Sequence, residues 1–256
     1  MRAFGAFLRK ESLETVRTWR VWVVGGMLLF FALSGPVLAE LTPQILRSVS
    51  GTSGMGGLII EVPDPGWADA YAQWVKNLSQ IVTWAIIVML GGMISSERKK
   101  GTATLVLTKP LSRRAFLMAK FVSHSVLIVL ATLLGAAVTW LVTLLIFGEA
   151  PAGVLAETTA AWLVFAVMLV AVMTLLSALM DSQVSAALLG FGVLAGLGIA
   201  GMWEPASRYT PAGLMNAPAA LLGGREVATG WPIASAVLVA IVSLAAAAAV
   251  FSRKEL

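Results

Sequence analysis

Long apolar runs broken by short polar connections set the frame of this 256-residue chain. A helix needs about 20 apolar residues to cross the hydrocarbon core of a bilayer. Val21–Leu41, Leu78–Ser95, Phe121–Phe147, Thr158–Met180, Val184–Trp203 and Trp231–Phe251 each read as such a run. The pattern predicts an all-α integral membrane protein with six transmembrane helices in one domain over residues 1–256. Only "MDSQ", Met180–Gln183, separates the fourth run from the fifth. Asp181 would cost about 2.5–3.5 kcal/mol at a bilayer centre, so a tight turn at the surface is the cheaper arrangement.

The connections carry patterns of their own. At 100° per residue, Arg2, Arg9, Lys10, Arg17 and Arg20 fall on one arc of a helix, and Phe4, Phe7, Leu8 and Trp19 on the opposite arc. Residues 1–20 therefore read as an amphipathic interfacial helix, apolar side in lipid and basic side toward anionic headgroups. Glu11 and Leu13 interrupt this separation. The bland reading of the same residues is a solvated flank that only sets topology. The outer loop, residues 42–76, contains "SVSGTSGMGG" and "EVPDPGW", whose Gly and Pro mark irregular chain. Asp69–Lys76, with Tyr71 and Trp74, predicts a helix leading into the second span. Residues 204–230 contain "SRYTPAGLMNAPAALLGG", too short to cross and too apolar to be solvated. A re-entrant or interfacial pair of short helices fits that stretch.

Composition sharpens the class. The chain is 59% hydrophobic and 12% charged, against roughly 25% charged in a soluble domain. Too little polar surface remains to coat a globule, and no long hydrophilic run could fold a second domain. Cysteine is absent, which excludes disulfides, cysteine-ligated zinc and cysteine nucleophiles. Charge continues to Arg20 with no short apolar core closed by an A-x-A-like site, so no cleavable signal is read there.

Lys and Arg orient the spans. With the N-terminus inside, the inner segments hold Arg2, Arg9, Lys10, Arg17, Arg20, Arg98, Lys99, Lys100, Lys109, Arg113, Arg114, Lys120, Arg253 and Lys254. The outer segments hold only Arg47, Lys76, Arg208 and Arg225. Basic residues stay on the cytoplasmic side. The expectation is a multi-pass protein of the cytoplasmic (inner) membrane with both termini inside. The net charge of +5 is then a bias of one face, and nucleic acid is not an expected partner.

Catalytic chemistry finds little footing. His124 is the only histidine, near the inner end of the third span, where a structural role outweighs catalysis. No G-x-x-x-x-G-K-[ST] stretch exists to cradle ATP phosphates. The spans show no mid-membrane carboxylate or Lys of the kind that ion-coupled carriers use. Gln80, Thr83, Thr132, Thr139, Thr143, Thr174 and Ser177 read as interhelical hydrogen-bonders. In the fifth span Gly192 and Gly196 form G-x-x-x-G, extended by Ala186 and Gly190, and predict a close helix contact within the chain or with a second copy. Trp19, Trp22, Trp67, Trp74, Trp203 and Trp231 sit at predicted span ends, as an aromatic belt does.

The most informative connection is "SERKKGTATLVLTKPLSRRAFLMAK", Ser96–Lys120, with seven bases and the single acid Glu97. It follows the second span directly, so a helix is expected to run on and end near Gly101. Pro110 stops the short apolar segment, and Ser112 is placed to N-cap a helix from Arg113. Exposed Leu105, Val106 and Leu107 would need cover from a soluble partner.

These residues resemble the permease subunit of ABC-2 type ATP-binding-cassette exporters. The matching positions are Glu97, Gly101, Thr102, Pro110, Ser112, Arg113 and Lys120. "LRKE" at Leu8–Glu11 is similar to that family's elbow helix, and the last loop and the ending "SRKEL" are also family-like. Lys99 and Lys100 stand where the family often has acids. The resemblance implies two six-span permeases, this chain with a second copy or a paralogue, on two cytoplasmic ABC ATPase subunits. The chain itself would bind no cofactor and be no enzyme. ATP and Mg would sit on the partner ATPase. Residues 96–120 would hold the coupling helix, with Glu97, Gly101, Thr102, Leu105, Leu107, Pro110, Ser112 and Arg113 at the ATPase interface. Gly192 and Gly196 would lie at the permease–permease seam, and Arg9, Lys10, Glu11 and Arg17 in the interfacial helix against membrane lipid. The cargo would be hydrophobic or amphipathic, and an accessory extracytoplasmic protein stays open as a further partner. The alternative from another class is a membrane anchor or assembly factor that recruits a soluble complex and transports nothing.

Overall fold

The computed structural model describes residues 5, 9, 11, 13, 17, 19–52, 64–99, 101 and 112–253. Among these the regular structure is helical. Six helices are long and apolar enough to cross a membrane: Trp22–Ile45, Trp67–Lys99, Arg113–Phe147, Ala152–Leu179, Gln183–Ala200 and Gly230–Arg253. They are numbered as spans one to six below. Each contains or overlaps one of the six predicted runs.

The fourth span is the axis of the bundle. Its apolar window is 72% buried, against 22% for the fifth span and 17% for the sixth. Spans three, five and six pack on it, as does the short helix Gly213–Leu222. Span one lies against spans two and three and keeps one buried stripe, Val24, Leu28, Ala32 and Ala39, spaced at helical repeats. Its helix, Trp19–Thr52, has 34 residues and so runs about 51 Å, longer than a bilayer core requires.

The second span is composite. Trp67–Asn77 is α-helical, Leu78–Val82 is a π turn, and α-helix resumes over Thr83–Gly91. The helix predicted over Asp69–Lys76 is therefore present, and Trp67 begins it. The continuous run expected through Ser96–Lys100 is not. The chain turns at Gly92–Ile94 and restarts as Ser95–Lys99. The cause is close packing. A methyl group on Gly91 would sit 2.6 Å from the Gln183 carbonyl oxygen, and one on Gly92 2.7 Å from Gln183 Oε1. Span five presses on the glycine pair, and the helix gives way there.

Ser177 on the fourth span satisfies the groups this break exposes. Its hydroxyl accepts from the Ile94 N–H (2.9 Å) and the Ser95 N–H (3.2 Å) and donates to the Gly91 carbonyl (2.8 Å). Buried backbone groups need such partners.

The turn between spans four and five is as tight as the sequence requires. The fourth span stops at Met180 in extended conformation, and Ser182 caps the fifth by accepting from the Ser185 N–H. Asp181 stays 83% exposed at that turn. The predicted pair of short helices is Glu204–Tyr209 and Gly213–Leu222, the second with Gly213, Leu214, Ala217 and Pro218 buried.

Candidate functional site

One end of the bundle gathers both flanks of the Ser96–Lys120 connection, the turn between spans four and five, and the last turn of span six. It is called the motif end here. Its centre is Lys120, one turn before His124 on span three. Lys120 is 2% exposed. Its Nζ lies 2.9 Å from Glu11 Oε2 and 2.5 Å from Glu97 Oε1. The same ammonium stands 5.1 Å from the centre of the Phe116 ring, whose face favours a cation. His124 Nδ1 donates to the Lys120 carbonyl at 2.8 Å, which packs the imidazole against the same turn.

This arrangement explains the sequence pattern at one awkward point. Glu11 interrupts the basic arc of the N-terminal segment because it is not on the wet side. It is 3% exposed and paired with Lys120, while Arg9, Leu13 and Arg17 are exposed. Lys120, counted from the sequence among the inner bases, is turned into the protein and not toward headgroups. A buried ammonium needs opposite charge, and two carboxylates supply it.

The flanks of the connection are held separately. Arg98 reaches the fourth–fifth turn, donating to the Ala178 carbonyl (3.3 Å) and pairing with Asp181. Gly101 closes the first flank with a positive φ of 70° and an N–H bond to the Arg98 carbonyl. On the other side Ser112 caps span three as predicted, accepting from the Ala115 N–H at 3.2 Å. Arg113 Nη1 donates to the Phe251 and Ser252 carbonyls at 2.9 and 3.1 Å. Those are last-turn carbonyls of span six, where a cation is favoured. Phe116 stacks on Phe251, centroids 5.6 Å apart and planes 7° off parallel.

Of the expected interface residues, Glu97, Gly101, Ser112 and Arg113 come together at this end. Glu97 is also turned inward toward Lys120, with 26% of its side chain exposed. Thr102, Leu105, Leu107 and Pro110, and Lys10 of the interfacial helix, lie outside the described residues.

Gly192 and Gly196 are exposed, and a methyl group on either would meet nothing within 4 Å. Gly190, expected on the same surface, is on another. A methyl group there would sit 2.6 Å from Met173 Sδ and 2.9 Å from Ile87 Cγ2. Ala186 is buried beside it. The small residues of span five thus form an inner face against spans two and four and a separate outer face.

Sequence reasoning placed Ser177 as a hydrogen-bonder without its target. Arg98, read only as a base, proved a bracket to Asp181. No spacing pointed to either, because the partners lie 80 or more residues apart. Among the described residues, no group of three or more His, Asp or Glu could hold a metal ion. What the motif end offers is mechanical, a set of polar ties joining the N-terminal segment to spans two, three, four and six.

A family described as "Protein of unknown function (DUF2705)" matches residues 59–256, which include this connection and spans two to six. The chain is also similar to the "Uncharacterized transmembrane protein YxlG" of Bacillus subtilis (strain 168). The two are 20% identical over 242 residues, 93% of each chain.

Proposed function

The chain belongs to the DUF2705 family, and we propose that it is the membrane-spanning permease subunit of an ABC-2 type exporter. It works as a dimer with a second copy or paralogue, on two cytoplasmic ATPase subunits. It moves a hydrophobic or amphipathic substrate. The observation that carries this reading is the mounting of the connection between spans two and three. The described flanks on either side of residues 102–111 are each tied to other spans by buried or half-buried polar bonds. A loop that only joins two helices needs no such fixtures. A loop that must carry force into the membrane does.

In this reading residues 102–111 contain the coupling helix and dock on the ATPase, with Leu105 and Leu107 as the buried contact. ATP binding closes the ATPases and pushes the loop. Glu97 and Lys120 pass the displacement to Glu11 and the elbow helix. Ser177 and the Arg98–Asp181 pair pass it to the fourth–fifth turn, and Arg113 to the end of span six. Packed cores respond to such shifts by switching between discrete arrangements.

The test is co-purification. The tagged chain, expressed with its neighbouring reading frames, should bring down an ATPase carrying Walker A and signature motifs. Leu105→Ala with Leu107→Ala should release that ATPase or uncouple hydrolysis from transport while the chain still inserts, because truncation in a buried contact costs most. Neutralising Lys99 and Lys100 should have a milder effect that grows with salt. A soluble partner without ATPase motifs, held through the same loop, would replace this reading with the membrane-anchor one.

A further inference from the structure

The exposed faces of spans one, three and six at mid-depth are apolar. Leu33 and Val37 on span one, Leu130 and Leu134 on span three, and Leu238 and Ile241 on span six are examples. Span two differs. Its exposed stripe runs Lys76, Gln80, Trp84 and Val88, one residue per turn. Lys76 stands nine residues, and Gln80 thirteen, inside the start of the span at Trp67. The exposed carboxylates Glu40 and Glu157, by contrast, lie close to the ends of their spans.

Contacts fix where this stripe sits. On one side, a methyl group on Gly35 of span one would meet Gln73 Cβ at 3.6 Å. On the other side Gly91 and Ile87 press on Ala187 and Gly190 of span five, and the Trp84 and Phe191 rings meet edge to face, 6.5 Å apart. The stripe therefore lies open between spans one and five.

The same contacts give depth. Spans two and five run in opposite directions, so Gln80, one turn before Trp84, falls beside Ala195 and Gly196. Span five has only 18 residues, which barely crosses the hydrocarbon core, so that level lies within the bilayer. Lys76 falls near its outer end. Gly192 and Gly196 on that side of span five are exposed, and a methyl group on either would meet nothing within 4 Å. An amide on an open face within the bilayer, with an ammonium at its outer edge, marks a polar path, since lipid tails pair with neither.

We propose that this groove is a water-lined site for the head of an anionic amphipath, a phosphate or carboxylate carrying an apolar tail. Lys76 meets the charge and Gln80 donates to it, while Trp84 and Val88 run along the tail. This adds a substrate class to the permease reading. The test below needs no ATPase, so a failed co-purification and a failed groove are separate results.

The chain has no cysteine, so single thiols can be read without background. Gln80→Cys and Leu130→Cys place one thiol in the groove and one on the lipid face of span three at similar depth. Unsealed membranes are treated with an anionic (sulfonatoethyl) or a cationic (trimethylammonioethyl) methanethiosulfonate. The thiol at 80 should react and the one at 130 should not, because the thiolate forms only where water reaches.

The anionic reagent should be preferred at 80. Lys76→Gln should lower that preference by about threefold, the effect of one charge acting over a few ångströms of water. Lys76→Arg should keep it. Reaction with the cationic reagent that is kept or faster, its repulsion by Lys76 removed, shows that the Gln variant is folded. Dodecyl phosphate should protect the thiol at 80, and inorganic phosphate or dodecyl maltoside should not. Equal silence at 80 and 130 would make the stripe a lipid face. A preference that survives Lys76→Gln, or protection by inorganic phosphate as strong as by dodecyl phosphate, would equally overturn the proposal.

Discussion

Lys120 is the residue on which the motif end turns. Taking an ammonium out of water is costly, and here two carboxylates and an aromatic face offset that cost. Removing the cation alone takes away the charge that both the Glu11 and Glu97 carboxylates face. Lys120→Met should therefore destabilise the chain by about 3–5 kcal/mol, toward the lower figure because Glu97 keeps partial contact with solvent. Thermal unfolding in detergent would read this as a lowered midpoint. Lys120→Met combined with Glu11→Leu and Glu97→Gln should recover most of the loss, since the ammonium and the two carboxylates facing it are then all neutral. A single Lys120→Met variant as stable as wild type would mean that the ammonium does not hold these elements together. Ser177 makes a parallel case with a neutral group. Ser177→Ala strands the Ile94 N–H, and a buried donor left unmade costs about 1–3 kcal/mol. Hydrogen exchange at Ile94 and Ser95 should speed by about tenfold or more, with the far half of span four unchanged. Equal exchange in the variant and the wild type would show that another group holds the turn.

At the scale of elements, span five carries two different surfaces on one short helix. Gly190 and Ala186 face spans two and four, and Gly192 and Gly196 face outward. Substitutions should separate them. Gly91→Ala pushes a methyl group onto the Gln183 backbone, and Gly190→Leu overfills the space beside Ile87 and Met173. Both should lower thermal stability of the isolated chain by about 1–3 kcal/mol, the usual cost of overpacking. Gly192→Leu with Gly196→Leu should leave that stability unchanged and weaken self-association, read by crosslinking and sizing in detergent. Loss of monomer stability in the outer pair, with no change in association, would reverse the assignment of faces. The two faces were legible in principle, because 190 and 192 are 200° apart on a helix. A list of small residues hides what a wheel separates. The six spans were legible because a bilayer demands about 20 apolar residues per crossing whatever the packing. The Ser112 cap was legible because its partner is three residues away. The break at Gly92–Ile94 was not, since its causes, Gln183 and Ser177, come from spans four and five. Glu11 looked like a flaw in an amphipathic pattern until Lys120, 109 residues on, supplied its partner.

The whole molecule is asymmetric in charge, and that asymmetry makes a prediction about its orientation. Fourteen of the eighteen Lys and Arg residues fall on the segments that the sequence pattern places inside, and four on those it places outside. Translocating short basic segments is disfavoured, so the motif end should face the cytoplasm. The structure strengthens the argument at one point and weakens it at another. Arg98, Arg113 and Lys120 are engaged with protein groups. They do not bind headgroups freely, and their pull on orientation acts during insertion, before those bonds form. Arg9 and Arg17 remain exposed and keep their effect in the folded chain. Thiols at Thr108, Ser252 and Ser53 can test the outcome with a membrane-impermeant reagent on intact cells. Ser112 is avoided because its hydroxyl caps span three. Only Ser53→Cys should be labelled in intact cells, and all three after the membrane is opened. Labelling of Thr108→Cys and Ser252→Cys in intact cells, with Ser53→Cys silent, would turn the molecule over. The motif end would then face away from any cytoplasmic ATPase, and the coupling role of residues 102–111 would fall with the orientation.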